Sequence, residues 1–196
     1  MINKLSAILS EQLSSRQKST SDEKEIYAYS IEVLLSLVIN LIILSITASI
    51  LHKIPELIIF IMFFSGLRTF AGGYHAKTHI ECMTISFIIF IVSSMSSTWL
   101  VSIGKAVLII GILISIMLVF IYAPTDSENK PLNNNEKTKF RMISRGIVIL
   151  FSFIIVFLYI SRAQTHNIYL TAVVAMQFES LSLLRLFNKQ HVEYPA

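Results

Sequence analysis

Long apolar runs separated by short polar clusters organise this chain. Six runs stand out, over residues 31–51, 54–66, 83–103, 106–123, 146–160 and 167–187. A helix needs roughly 17–25 mostly apolar residues to cross a bilayer. The first, third, fourth and sixth runs reach that length. The second is short, and is either tilted, re-entrant or extended through residues 67–71. The fifth is short unless it takes in residues 161–163. The pattern predicts an all-α fold: a polytopic transmembrane helical bundle of about six membrane helices.

The flanks read differently. In residues 1–25, Ile2, Leu5, Ile8, Leu9 and Leu13 recur at helical spacing among Lys4, Glu11, Arg16 and Lys18. That spacing predicts an amphipathic helix lying on the membrane surface; a polar leader is the plainer alternative. The stretch is too polar for a cleavable signal. Residues 26–190 form one transmembrane domain and residues 191–196 a tail. The long polar connection over residues 124–145 is expected to be a cytoplasmic loop, because its first part is rich in Asn, Pro and charge. Pro131 pushes Lys130 toward an extended backbone there.

Composition agrees with the pattern. The chain has 196 residues, 54% of them hydrophobic and 14% charged. Soluble domains run near 45–50% and about 25%. With 13 Phe but 6 Gly and 4 Pro, it is neither disordered nor collagen-like. A single cysteine excludes a disulfide scaffold. The net charge of +4 is unevenly spread. If the N-terminus is cytoplasmic and all six runs cross, only Lys53, Lys105 and Arg162 of the 16 lysines and arginines fall outside. The positive-inside rule therefore predicts cytoplasmic N- and C-termini, with residues 67–82 and 124–145 on the same side. Lys77, Lys130, Lys137, Lys139, Arg141 and Arg145 make that face basic. Membrane lipid is an expected partner and nucleic acid is not. A homodimer would suit so small a bundle.

Candidate chemistry concentrates in residues 66–83. Gly72 and Gly73 allow a tight turn. Thr78 and Glu81 match a capping box, with Thr78 capping a helix and Glu81 reaching back. Cys82 then falls in the first turn of the third membrane helix. Unpaired amides and the helix dipole favour negative charge there, and so favour a nucleophilic thiolate. Glu81 opposes this. His75 is too distant on a straight helix, since seven residues rise about 10.5 Å. With the helix broken at Thr78, the glycine loop can return His75 to Cys82 as the base of an activated nucleophile. The plainer alternative is a structural cysteine at a helix end.

Two other readings stay open. On a continuous helix, His75, His79 and Cys82 would share a face and offer zinc ligands. Ala76 leaves that face without the glutamate of a metalloprotease motif, and the turn and cap argue against continuity, so no metal and no cofactor is expected. Glu32, Asn40, Gln177 and Glu179 lie inside apolar runs, where polar residues usually face a bundle interior. Ser93, Ser94, Ser96, Ser97 and Thr98 form a small-polar stripe suited to close helix packing. A small transporter, or a structural membrane subunit, is the alternative without peptidase activity.

Arg68, the run from Gly72 through Ala76, and Cys82 ahead of a membrane helix resemble the signature of the accessory gene regulator B (AgrB) family. Tyr122, Pro124, Thr125, Asp126, Asn129, Lys130 and Pro131 resemble that family's second motif. The resemblance implies a thiol protease of the bacterial cell membrane, multi-pass, with its active site facing the cytoplasm. Such proteins process an AgrD-like propeptide in quorum sensing. They remove its C-terminal tail and help close a thiolactone or lactone ring, giving an autoinducing peptide. The resemblance makes Cys82 the nucleophile and His75 its base, and puts Arg68, Gly72, Gly73 and Lys130 at supporting or substrate-binding positions. Glu81 or a backbone carbonyl is left to orient His75.

Overall fold

The computed structural model describes residues 21–74, 78–125, 133–161 and 168–184, and every regular element among them is helical. The helices are α1 (Ser21–Ile50), α2 (Ile54–Ala71), α3 (His79–Trp99), α4 (Gly104–Tyr122), α5 (Asn134–Ile160) and α6 (Ile168–Ser182). The expected surface helix lies almost wholly outside the described residues, as does the tail. Five spans are long and apolar enough to cross a membrane: Ser30–Ile50, Ile54–Ala71, His79–Trp99, Val101–Tyr122 and Asn134–Ile160. The sixth, α6, is apolar but has 15 residues.

Two of the runs of ambiguous length resolve as longer helices. The second continues to Ala71 because a π turn, Ile61–Ser65, joins its two α-helical halves without a break. The fifth begins at Asn134 rather than 146, so the second half of the expected loop is helix. A capping box starts it: Asn133 receives the first-turn amides, and Glu136 accepts the Asn133 N–H at 3.0 Å.

The helices alternate in direction, and contacts at both ends fix this. At one end, His79 meets Glu32 at 3.2 Å. There too the Thr125 N–H donates to the Ala71 carbonyl (3.0 Å), and Arg145 donates to the Phe120 carbonyl (2.9 Å). At the other end, His52 turns the chain in the left-handed region (φ 56°) and Pro55 enters the first turn of α2. Lys53 reaches across to Ser97 at 3.1 Å, and the Tyr159 and Tyr169 rings meet at 5.2 Å.

The core sits around α6. Leu170 through Met176 are consecutively buried, so every face of this helix is covered. Helices α2, α3, α4 and α5 all pack on it. The outer helices turn large side chains outward, among them Leu34, Leu37, Leu113, Phe153 and Phe157, as a lipid-facing surface does. An aromatic cluster joins α2 to its neighbours: Phe60 stacks on Phe64 (5.1 Å) and meets Phe90 edge-on (5.5 Å), while Phe63 meets Phe151 (4.6 Å).

Polar groups inside the bundle are mostly satisfied locally. Ser94, Ser96 and Ser97 donate to the carbonyls of Ile91, Ser93 and Ser94. Ser93, Ser94, Ser96 and Ser97 are buried where α3 packs within the bundle, whereas Thr98 of the expected stripe is exposed. Glu56 is buried and is held by Lys53 at 2.7 Å. Removing one member of a buried pair strands the other charge and costs about 3–5 kcal/mol, whereas an apolar replacement of both is far less costly. Lys53→Met should therefore lower the thermal midpoint in detergent sharply. The double change Lys53→Met with Glu56→Met should recover most of the loss, as read by thermal unfolding.

Candidate active site

Helix α2 ends where its glycines begin. The Gly72 N–H makes the last helical bond, to the Arg68 carbonyl at 3.1 Å. Gly72 then takes φ +78° and Gly73 φ +132°, angles that residues bearing a Cβ rarely adopt. Space imposes the same choice. A Cβ on Gly72 would lie 2.5 Å from the Thr125 carbonyl oxygen. A Cβ on Gly73 would strike the Ser182 hydroxyl and lie 2.9 Å from Glu179 Oε1. The glycine turn is thus wedged between the segment after α4 and the end of α6.

An ion pair lies directly behind the turn. Arg68 Nη1 meets Glu179 Oε2 at 3.2 Å, and Arg68 Nη2 donates to the Tyr74 carbonyl. The guanidinium also sits 5.8 Å from the Phe64 ring centre. Glu179 is fully buried. The Ser182 hydroxyl donates to the Glu179 carbonyl (2.8 Å) and lies beside Glu179 Oε1 at the glycine turn. One arginine therefore ties α2, α6 and the outgoing chain together.

The thiol occupies the next element. Thr78 is extended (φ −128°, ψ 151°) and caps α3, its hydroxyl accepting the Glu81 N–H at 3.2 Å. The return bond from the Glu81 side chain does not form among the described residues, so half of the expected capping box is present. Cys82 is exposed in the first turn, and its N–H donates to the Thr78 carbonyl at 3.1 Å. The Glu81 and Cys82 amides are thus occupied. Those of His79 and Ile80 have no partner among the described residues and lie at the positive end of the helix dipole.

The expected site residues fall into two groups. Arg68, Gly72 and Gly73 come together with Thr125, Glu179 and Ser182. Cys82 and Glu81 sit in the cap of α3. Residues 75–77 connect the groups, and His75 lies there, outside the described residues. Lys130 also lies outside them. The shared metal face has no helix to stand on, because α2 stops at Ala71 and α3 starts at His79, which is turned to Glu32. Among the described residues no group of three or more His, Cys, Asp or Glu could hold a metal ion.

Glu179 is the residue that sequence reasoning left without a role. Its signal was present, an acid in an apolar run, but its partner was not nameable. The link between the two motif regions through Thr125 and Ala71 was equally hidden.

The family model for Accessory gene regulator B matches residues 2–183. Curated relatives agree. A protein named "Putative AgrB-like protein" from Clostridium perfringens (strain SM101 / Type A) is 28% identical over 205 residues, covering 96% of this chain and 94% of that one. "Putative AgrB-like protein 2" from Clostridium perfringens (strain 13 / Type A) is 30% identical over 160 residues, covering 76% and 72%. A relative from Clostridium beijerinckii, also named "Putative AgrB-like protein", is 26% identical over 145 residues, covering 74% and 70%. No solved structure matches. A family match over nearly the whole length, with the glycine turn, the arginine behind it and the capped cysteine in place, leaves one conclusion: this multi-helix membrane chain belongs to the accessory gene regulator B family.

Proposed function

We propose that this chain is a membrane cysteine endopeptidase that removes the C-terminal tail of an AgrD-like propeptide and supports its cyclisation. Family membership supports a part in the accessory gene regulator quorum-sensing system. The observation that carries the finer reading is the exposed lone thiol of Cys82 in a capped first helical turn, with His75 in the sequence between the glycine turn and that cap.

The steps balance without a cofactor. His75 takes the Cys82 proton, and the thiolate attacks the carbonyl at the tail junction. The tetrahedral oxyanion accepts hydrogen bonds from the His79 and Ile80 N–H groups, the amides of that turn left over by the cap. The C–N bond breaks, His75 gives its proton to the departing amine, and the tail leaves. An acyl-thioester on Cys82 remains. The propeptide's internal Cys or Ser displaces Cys82 and closes a thiolactone or lactone ring, and the proton it loses restores the thiol. Exclusion of water at the bilayer boundary favours ring closure over hydrolysis.

The same reading orients the molecule. The end that bears Cys82, the glycine turn and the start of α5 faces the cytoplasm, as do both termini. Lys137, Lys139, Arg141 and Arg145, near the start of α5, then offer charge to an acidic tail or to anionic lipid.

Purified protein in lipid, given precursor, should release the tail. Cys82→Ala should insert normally and release none; normal release by Cys82→Ala would sink the mechanism. Chelator should leave processing intact while a thiol alkylating agent stops it, and loss in chelator restored by zinc would reverse the assignment. A precursor whose ring-closing residue is changed to Ala should accumulate a hydroxylamine-labile adduct on Cys82, seen by mass spectrometry. His75→Ala should slow its formation by roughly 10²–10⁴-fold.

A further inference from the structure

The chain between α2 and α3 is short and carries His75, yet His79, Thr78 and Cys82 hold only its far end. Its near end is held by a different device. Arg68 donates to the Tyr74 carbonyl with Nη2 while Nη1 is fixed by Glu179 at 3.2 Å. Glu179 also backs Gly73, its Oε1 lying 2.9 Å from where a Cβ would stand. Tyr74 immediately precedes His75.

We infer that Glu179 is a positioning residue for the reaction. From the last helix it locks Arg68, and through Arg68 and Gly73 it fixes the Tyr74 carbonyl, from which the chain continues to His75. This rests on the enzyme reading above.

Three features support the assignment. Glu179 is fully buried in an apolar helix, where an acid is costly to keep unless it is paired. Its partner is spent on a main-chain carbonyl as well as on the charge, and that carbonyl belongs to the residue immediately before His75. An arginine is needed for both contacts, because its planar fork donates in two fixed directions and a lysine ammonium does not. Arg68 and Glu179 thereby complete a loop tied at both ends: Tyr74 to the ion pair, and Thr78 to the first-turn amides of α3. Only residues 75–77 lie between the ties.

The test separates the tie from the enzyme reading. Amide hydrogen exchange on the full chain in lipid reads the tie without substrate. Adduct formation with an AgrD-type precursor whose ring-closing residue is changed to Ala reads catalysis. Glu179→Gln should speed exchange over residues 72–78. It should slow adduct formation at saturating precursor by about 10²-fold, the scale of a misplaced catalytic group, with the half-saturating concentration unchanged. Glu179→Asp should recover part of the rate. Arg68→Lys should reproduce the Gln effect, so the test survives if Glu179→Gln does not fold. Glu56→Gln, which alters the buried acid at the other end of the bundle, should lower thermal stability and change neither exchange over residues 72–78 nor the adduct rate. Wild-type exchange and wild-type rate in Glu179→Gln would overturn the inference. So would an equal loss of rate in Glu56→Gln at matched stability. A wild-type protein that forms no adduct, while exchange still responds to Glu179→Gln, would overturn the enzyme reading and leave the tie standing.

Discussion

A carboxylate sealed inside an apolar bundle must be paired, and that requirement orders much of this structure. Glu179 is fully buried on α6, and Arg68 on α2 answers it at 3.2 Å. The Glu179 charge could not remain there alone without a cost of about 3–5 kcal/mol, while Arg68 keeps part of its side chain exposed. The pair therefore fixes the end of α2 against the end of α6. Arg68 in turn holds the Tyr74 carbonyl, and Gly73 must be a glycine because the Glu179 and Ser182 side chains occupy the space beside it. Gly72 is constrained from the other side by Thr125, whose N–H closes on the Ala71 carbonyl. One ion pair thus sets the geometry of the turn from which the candidate catalytic segment departs.

The surrounding bundle makes such a pair sustainable. Helix α6 is the shortest of the six and the most enclosed, with the longer helices wrapped about it. Those outer helices present branched and aromatic side chains outward, as lipid contact demands, and satisfy most of their hydroxyls through backbone carbonyls three or four residues back. A second buried pair, Lys53 and Glu56, anchors the opposite end. Polar interactions are thus concentrated at the two ends, and the middle is held by aromatic packing and small-residue contact.

Cys82 is placed in the contrary environment. It is exposed, in a turn whose amides are only partly used by the cap. The glycine turn ends at Tyr74 and the cap of α3 begins at Thr78, so three residues of chain separate them.

Much of this was legible in the residues. Apolar run length gave the helical class and the approximate number of helices, because a backbone in hydrocarbon must satisfy its hydrogen bonds within a helix. Thr78 as a cap and Gly72 and Gly73 as a turn were readable from local stereochemistry, since capping and positive φ depend on a few adjacent residues. The start of α5 at Asn134 was hidden by composition: Asn and Glu mark loops and caps alike, and only the paired Asn133 and Glu136 bonds distinguish them. An apolar run looks the same whether it faces lipid or protein, so nothing in residues 170–176 announced that α6 is the axis of the bundle. The pairing of Arg68 with Glu179, across 111 positions of chain, and of Ala71 with Thr125 had no local signature at all. Sequence by itself determined the helices, the turn and the cap, because each is set by neighbours along the chain. The tertiary structure alone decided which acid meets which base, because a buried charge is matched by whatever the packing brings within reach.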